Sequence, residues 1–520
     1  MRLSTSQMFN ASVSGYQKGY ADLVKTQQQI TSGHRIQTPA DDPVGSARLL
    51  QLEQQANLLA QYDANLTDAT NSLTQEESIL QSMIGIAQRA RTLAGHAGNG
   101  AYGDHDRRAI AAELAQIETE LFGLMNSKNA SGEYWFSGSK SGIQPYVRNG
   151  EGSYIYQGDQ SQQSLQLATG VQVSINDSGF DTFESARNVT RTESKLESPA
   201  TADSQQRMYF SGGTISDQKL FNDAFRGDGP YELEMTSSTT YVIRNGSGAD
   251  VTADSVQGGV YSVDMENPKI NFRGVEFILD ATLESGTVDA DAALTGHTFS
   301  FDMAPDRFVT TSSSAAQITD ARIDTANPDD YVQAFPSGGM KLTFGAAGSF
   351  SATTIDGVPI APGAIVAGPP PTATIAGVTL TFDAIPADGD EFKIHADSQE
   401  NQNILNTIAK LRKALEAPAD GLPDGGPRIR EAVAAALGNL DSSMIQIERT
   451  QAHIGARMNI IDTLTLENES LSIFNASTQS AIRDTDQFEA ASRLMLQQTK
   501  LEAAQAAFIR VSQLSLFDRL

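Results

Sequence analysis

The chain has 520 residues, 39% of them hydrophobic and 7% aromatic, and a formal net charge of -26. A single hydrophobic core stops growing near roughly 250–300 residues, so this length predicts several domains. The acidic charge argues against a general affinity for nucleic acid or for an anionic membrane, since both require clustered Lys and Arg. The absence of cysteine excludes a thiolate nucleophile, a disulfide framework and a Cys-ligated metal.

The first predicted element is an amphipathic helix that ends at Gly33, a residue suited to a helix C-cap. Its apolar stripe advances in alternating steps of four and three residues, which is the spacing of one helix face. The stripe consists of Phe9, Val13, Tyr16, Tyr20, Leu23, Gln27 and Ile30.

A second helix is predicted to begin at Pro43, which fits the first helical position, with Asp42 as its N-cap. Asp41 and Asp42 could also suggest a metal or acid–base site, but no histidine or third carboxylate accompanies them. Apolar residues seven apart predict a coiled-coil seam, and glycines from Gly95 onwards are expected to end the helix. The seam positions are Leu52, Leu59, Leu66, Leu73, Leu80, Ala87 and Ala94. Residues 110–124 predict a third helix that returns antiparallel to the second.

The C-terminal end repeats this design. A short amphipathic helix is predicted over 401–415, followed by a break from Pro418 to Pro427. A helical tract without proline then runs from about 428 to 516. Its apolar seam consists of Ile454, Met458, Ile461, Leu494, Leu501, Phe508 and Val511.

Between about 131 and 397 the sequence changes to Gly, Ser, Thr, Asp and short β-branched runs, which are typical of strands and turns. Residues 154–156 and 171–173 are predicted to form a hairpin beside the helices. The segments 274–279 and 377–382 are similar, so two related β modules are one hypothesis and chance similarity is the other. Residues 201–400 hold 28 acidic and 10 basic side chains, which indicates a solvent-exposed middle region.

The sequence contains no recognisable catalytic or cofactor motif. Its six histidines are not paired at metal-ligand spacing, and neither HExxH, GxSxG nor a P-loop occurs. We therefore expect a structural protein and not an enzyme, with no cofactor and no bound metal.

These elements predict an α+β multidomain fold, in which both chain ends form a long antiparallel coiled-coil helical shaft with an inserted all-β middle region. The predicted parts are an N-terminal assembly helix, a helical shaft with a β-hairpin, the β insertion, the C-terminal part of the shaft and a C-terminal assembly helix. In that order the ranges are 1–42, 43–190, 191–397, 398–483 and 484–520. Because the two outermost helices have apolar stripes but no domain of their own, we expect them to pair with each other and with neighbouring subunits.

Several motifs resemble those of the bacterial flagellin family, and in particular its members at the junction between hook and filament. The motifs are MRLSTSQMF at 1–9, QQQITSGHRI at 27–36, TPADDP at 38–43, GEYWFSG at 132–138, YQGD at 156–159 and SLFDRL at 515–520. The resemblance covers about residues 1–183 and 400–520 and does not extend to the middle region.

This resemblance implies an extracellular ring between hook-associated protein 1 and the flagellin filament, reached by type III export without a cleaved signal peptide. The implied partners are hook-associated protein 1, flagellin, neighbouring copies of the chain and a cytoplasmic export chaperone at the C-terminal helix, with no nucleic acid and no membrane. The residues expected at the assembly interface are Phe9, Tyr16, Leu23, Ile30, Leu494, Leu501, Phe508 and Val511. Two alternatives stay open, a flagellin filament subunit and a secreted glycan-binding adhesin.

Overall fold

In this computed structural model the two chain ends are helical and the middle of the chain forms strands, which confirms the predicted fold class. The structure describes residues 5–149, 152–198, 208–261, 269–281, 289–312, 314, 316–324, 328–336, 339–355, 357–397, 399–422 and 424–517. Residues 1–4 and 518–520, which carry parts of the two terminal motifs, lie outside the described residues. The first of two compact units comprises Met1–Thr74, Ser164–Ile175 and Gly455–Leu520. The second comprises Gln75–Gln163 and Asn176–Ile454.

The helices at the two chain ends lie close to where periodicity and capping residues predicted them, whereas three short helices in the middle region were not predicted. In chain order the α-helices of the described residues are α1 Thr5–Ser32, α2 Pro43–Ala97, α3 Asp104–Met125, α4 Gln218–Leu220, α5 Ala290–Leu294, α6 Pro328–Ala334, α7 Ile404–Glu416, α8 Gly425–Arg483 and α9 Gln487–Phe517. Gly33 follows α1 with a φ of 75°, and the Asp42 carboxylate accepts a hydrogen bond from the N–H of Gly45 (2.9 Å). The predicted C-cap and N-cap are thus confirmed.

The helical tract predicted from about 428 to 516 consists of two helices. Helix α8 ends at Arg483, and α9 begins at Gln487. Between them the Asp486 carboxylate accepts a hydrogen bond from the N–H of Phe488 (2.9 Å) and so caps a new helix. No proline or glycine marks this break, so the apolar pattern runs through it.

In the first unit, α2 and α8 meet along a seam with period seven. Leu59 and Leu73 of α2 are buried there. On α8 the seam continues through two buried asparagines. Asn468 Nδ2 donates to the carbonyl of Leu59 (3.0 Å), and Asn475 Nδ2 donates to that of Leu52 (3.0 Å). The two donors are seven residues apart on α8, and the two acceptors are seven residues apart on α2. The asparagines therefore hold the two antiparallel helices in one register.

The short strands near the helices form two hairpins, not the single hairpin predicted. Tyr154–Tyr156 (β2) pairs with Tyr146–Arg148 (β1), whereas Val171–Ser174 (β4) pairs with Ser164–Ala168 (β3). Each strand pairs with the preceding segment of chain, because a short connection costs less loop-closure entropy than a long one.

Two β modules with separate cores occupy the middle of the chain, within the second unit. Their strands are β5 Thr192–Ser198, β6 Met208–Phe210, β7 Thr214–Ile215, β8 Tyr231–Met235, β9 Tyr241–Arg244, β10 Lys269–Phe272, β11 Val275–Ala281, β12 Thr298–Met303, β13 Arg307–Ser312, β14 Ile318–Ile323, β15 Met340–Phe344, β16 Ser349–Thr354, β17 Pro359–Ala364, β18 Thr372–Ile375, β19 Val378–Phe382 and β20 Glu391–Asp397. The first module has sheets β5-β12-β8-β9 and β10-β11-β6, with β7 also paired to β11. The second has sheets β13-β20-β15-β16-β17 and β14-β19-β18.

The two modules repeat one topology. In each, the last strand (β12 or β20) lies between the first strand (β5 or β13) and the strand that follows the short helix (β8 or β15). In each, the other sheet contains a hairpin, β10–β11 or β18–β19, whose two turn residues both have positive φ. These turns are Arg273-Gly274 and Ala376-Gly377. The common order supports the hypothesis of two related modules.

A matched pair of glycines packs each hairpin against the short helix of its module. A Cβ on Gly274 would lie 2.8 Å from the backbone nitrogen of Phe221, and one on Gly377 would lie 2.1 Å from that of Tyr331. We therefore expect Gly274→Ala and Gly377→Ala each to destabilise its own module by about 2–4 kcal/mol, from backbone strain together with overpacking. Denaturant unfolding of the full chain measures this loss.

The same modules supply the controls. Gly296 and Gly389 also have positive φ, but a Cβ at either position would meet nothing within 4 Å. Gly296→Ala and Gly389→Ala should therefore cost only the strain, about 1 kcal/mol each. Equal losses at the crowded and the open glycines would contradict the close-packing argument.

Candidate assembly interface

Helix α1 packs against α9 in the first unit, and backbone hydrogen bonds join the segments that lead into them. The N–H of Arg35 donates to the carbonyl of Arg483 (2.6 Å), and the N–H of Thr485 donates to that of Gly33 (2.8 Å). His34 Nδ1 lies 3.4 Å from Asp484 Oδ1. The chain ends are therefore connected next to the loop that precedes α2.

Two carboxylates strengthen this connection. The Lys25 side chain, followed by backbone N–H groups of Thr38 and Gln37, lowers the pKa of Asp41 far below its usual range. Asp41 thus stabilises the turn over 37–41, because its carboxylate pairs with Lys25 and accepts hydrogen bonds from two backbone N–H groups. Hydrogen bonding from Ser480 and then Arg483 lowers the pKa of Asp484. Both groups therefore stay ionised at and well below neutral pH.

Three of the predicted interface residues, Tyr16, Leu501 and Phe508, lie in the seam between α1 and α9. Leu501 Cδ1 lies 3.6 Å from the position that a Cβ on Gly19 would take, and Gln505 Nε2 donates to Tyr16 Oη (3.3 Å). The half-buried members of the predicted set are Tyr16, Leu23, Ile30, Leu494, Leu501 and Phe508. Phe9 and Val511 lie in α1 and α9, but their side chains are outside the described part of the structure.

This seam leaves much of the two helices exposed. Among the described side chains of α1 and α9, only Thr26, Gln29 and Ala490 are buried. A cavity of about 440 Å³ remains between the helices near their outer ends. Its lining is mainly apolar and consists of Val13, Tyr16, Gln17, Gln505, Phe508 and Ile509. The helix pair therefore does not satisfy its own apolar surface.

A second apolar stripe on α9 lies beside the seam and is mostly exposed. Phe488 is 89% exposed, Met495 67% and Ile509 54%, and we call these three residues the outer stripe. Each of them lies one residue after a position of the seam with period seven. One residue corresponds to a rotation of about 100° around the helix. The same spacing of seven residues marks this stripe in the sequence, but Glu502 interrupts it. The uninterrupted series Leu494, Leu501 and Phe508 gives a stronger signal and therefore defines the predicted seam.

Helix α8 carries another exposed apolar face within the first unit. Leu466 is 66% exposed, Ile473 63% and Phe474 71%. Large apolar side chains clustered on the surface of a chain are typical of protein–protein contact sites. The first unit thus presents apolar surface on α8 as well as on α9.

Neither a metal-binding cluster nor a membrane-spanning helix occurs among the residues that the structure describes. In that part of the chain, no group of three or more His, Asp or Glu is placed to hold a metal ion. No helix among these residues combines the length and apolar content that crossing a bilayer requires.

The chain is similar to known proteins in sequence and in fold. A family model described as the bacterial flagellin N-terminal helical region matches residues 3–141. Flagellar hook-associated protein 3 of Salmonella typhimurium is 29% identical over 209 residues, which cover 40% of this chain and 63% of the relative. Its Escherichia coli counterpart is 30% identical over 155 residues, which cover 30% of this chain and 49% of the relative. The matched parts thus span about half to just under two thirds of these relatives.

A solved structure has a similar fold. It is the crystal structure of flagellar hook-associated protein 3 from Legionella pneumophila, with a TM-score of 0.51 and 19% sequence identity. The superposition covers 83% of this chain and 98% of that chain. The chain thus contains a region that matches the N-terminal helical region of bacterial flagellins, and it is similar to flagellar hook-associated protein 3.

Proposed function

We propose that this chain is a structural subunit of the bacterial flagellum that joins the hook to the flagellin filament. The observation that carries the proposal is the outer stripe on α9, which stays exposed although α1 and α9 pair. The names of the two sequence relatives support a hook-associated position. In this role the protein is not an enzyme and needs no cofactor.

The proposed partners follow from the uncovered surfaces. Neighbouring copies cover part of the α1–α9 pair and of the exposed face of α8, because head-to-tail contacts between identical subunits build rings and open helical arrays. Hook-associated protein 1 lies on one side of the ring and flagellin on the other. Burying a large apolar side chain contributes roughly 1.5–3 kcal/mol, so a few such residues suffice to hold the ring.

The same stripe would be a liability before assembly. Phe488 and Met495 are exposed in the single chain, and exposed apolar patches favour aggregation. We propose that a cytoplasmic export chaperone covers α9 until the chain leaves through the flagellar type III apparatus, after which α9 docks in the extracellular structure.

Deletion of the gene tests the proposal. Electron microscopy should show hooks without filaments, and unassembled flagellin should accumulate in the medium. Normal filaments on the deletion strain would refute the junction role. If the deletion removed the filament, and this chain were the most abundant component of the filament in the parent strain, the chain would instead be a flagellin.

A single substitution in the seam should reproduce part of this defect. Leu501→Asp places a carboxylate beside Gly19 of α1, where a charge is poorly solvated, so we expect the α1–α9 pair to separate. The helical circular dichroism of the purified chain should fall, and motility should be lost. Any single substitution in 201–390 should impair motility less, and a motility assay across both sets checks this order.

A further inference from the structure

Two paired segments connect the β modules to the helices and hairpin of the second unit. The N–H of Asn188 donates to the carbonyl of Glu400 (2.9 Å), and the N–H of Gln402 donates to that of Ala186 (2.8 Å). We call these segments, 186–188 and 400–402, the neck. Every residue of both modules lies in the chain between them.

The first module is fastened to α8 beside the neck. Glu431 on α8 accepts a hydrogen bond from the N–H of Gly212 (2.7 Å), and Arg430 forms an ion pair with Asp280. Asn439 Oδ1 accepts a hydrogen bond from the N–H of Val189 (2.8 Å). Backbone and side-chain contacts thus hold the first module on the helix.

The second module instead faces the helices and the β1–β2 hairpin across an open cleft. The cleft has a volume of about 490 Å³. On the module side its lining includes Arg307, Phe308, His395 and Asp397. On the opposite side it includes Tyr154, Tyr156, Glu184, Asn406 and Lys410. An open cleft with a mixed polar and apolar lining, and not a packed apolar core, therefore separates the second module from the base of the unit.

Glu184 is the titratable group best placed to sense opening of this cleft. It ends the π-helical turn at Phe180–Glu184, next to the neck, and accepts a hydrogen bond from Asn403 Nδ2 (3.0 Å). The pKa of Glu184 is raised to about 7, mainly because the carboxyl is buried. Hydrogen bonds from Tyr146 and Asn403 lower the pKa, whereas the facing carboxylate of Asp397 raises it. Ionised Glu184 is thus disfavoured while the cleft is closed.

The other charged groups of the cleft do not set the direction of this response. Lys410 donates to Gln402 Oε1 (2.6 Å), and burial by the cleft walls lowers its pKa to about 8, although solvent still reaches the residue. Arg307 lowers the pKa of Lys410 further, whereas Asp397 raises it. Because burial is the largest of these effects, the charged form of Lys410 disfavours closure, but Lys410 stays mostly protonated up to about pH 8, so this contribution changes little below that pH. Tyr154, Tyr156 and His395 complete the titratable lining.

We propose that this cleft is a pH-responsive hinge, in which the second β module closes on the base while Glu184 is protonated and swings away as Glu184 ionises opposite Asp397. A raised pKa means that the closed form is fully favoured below the ordinary glutamate value and is lost as the pH rises through about 7. Opening hydrates the Glu184 carboxylate and moves Asp397 away from it. Each unit by which opening returns the Glu184 pKa towards its ordinary value shifts the open population about tenfold.

The chain contains no cysteine, so a pair of spin labels can be placed on the full-length protein without removing any residue. Lys140→Cys on the base and Lys393→Cys on the module are exposed positions outside the cleft. We expect the distance between these labels to lengthen between pH 5.5 and pH 8, with a midpoint near 7. Equal distance distributions at the two pH values would overturn the proposal.

Variants separate this hinge from a general effect of pH. Glu184→Gln should keep the short distance at pH 8, and Asp397→Asn should weaken the response, which provides a second test should Glu184→Gln fold poorly. Glu431→Gln removes a carboxylate whose pKa burial also raises, but which faces the first module. Glu431→Gln and Lys410→Met should both respond as the parent does, and a parent-like response of Glu184→Gln would sink the idea.

Discussion

The double substitution Phe488→Asp and Met495→Asp is expected to abolish filament attachment while the purified chain stays folded. Both side chains are mostly exposed in the single chain, so neither loses packing there. Phe488 also lies in the first turn of α9, where an added carboxylate is favourable. In an assembled ring each change would forfeit roughly 1.5–3 kcal/mol of apolar burial and place a charge in the contact.

Two measurements have to agree for this result. Thermal unfolding and helical circular dichroism of the double variant should match those of the parent, while motility and filaments in electron micrographs should be lost. Gln498→Asp adds the same charge at an exposed polar position of α9 and should leave cells motile. Motile cells carrying the double variant would show that the outer stripe is not an assembly surface.

The terminal helices could be predicted because their signals are local. A period near 3.5 residues and capping residues such as Asp42 and Gly33 act within a few positions of the chain, so α1 and α2 lie where expected. The register between α2 and α8 could not be predicted, because it depends on Asn468 and Asn475. Polar residues at seam positions interrupt the apolar pattern that reveals a seam.

The interface was harder to predict than the helices. A heptad pattern identifies an apolar stripe but does not say which partner covers it. Within one chain, Tyr16, Leu501 and Phe508 of the predicted set lie in the α1–α9 seam. Phe488 and Met495, which were not in that set, remain exposed. The substitution of Leu501 tests the seam, and the double substitution in the outer stripe tests the exposed surface. Together they show whether both surfaces contribute to assembly.

Contacts between distant parts of the chain account for the remaining differences. The strand Tyr154–Tyr156 was paired with the wrong partner, since strand composition does not specify which strands pair. The cleft brings together Glu184 and Asp397, which are far apart in the chain, and their proximity depends on the whole path of both β modules. Short-range sequence patterns carry no such information.

A large loss of stability is expected from Arg412→Met in the second unit. Glu118 of α3 is only 3% exposed, and its carboxylate accepts hydrogen bonds from Tyr154 Oη (2.7 Å) and Arg412 Nε (2.8 Å). Removing one partner of a buried ion pair costs about 3–5 kcal/mol, because the remaining charge is left without compensation. Arg148, 3.7 Å from Glu118, is the only other cation paired with it among the described residues, so the loss should lie near the lower end of that range.

Denaturant unfolding with two companion variants assigns this loss to the buried charge. Glu416→Gln removes the exposed partner of the same arginine, whose Nη1 lies 2.8 Å from Glu416, and should cost less than about 1 kcal/mol. The double variant Glu118→Gln with Arg412→Met removes both buried charges and should regain much of the stability that Arg412→Met loses. If the double variant were less stable than Arg412→Met alone, packing of the arginine side chain, and not the unpaired carboxylate, would be the cause.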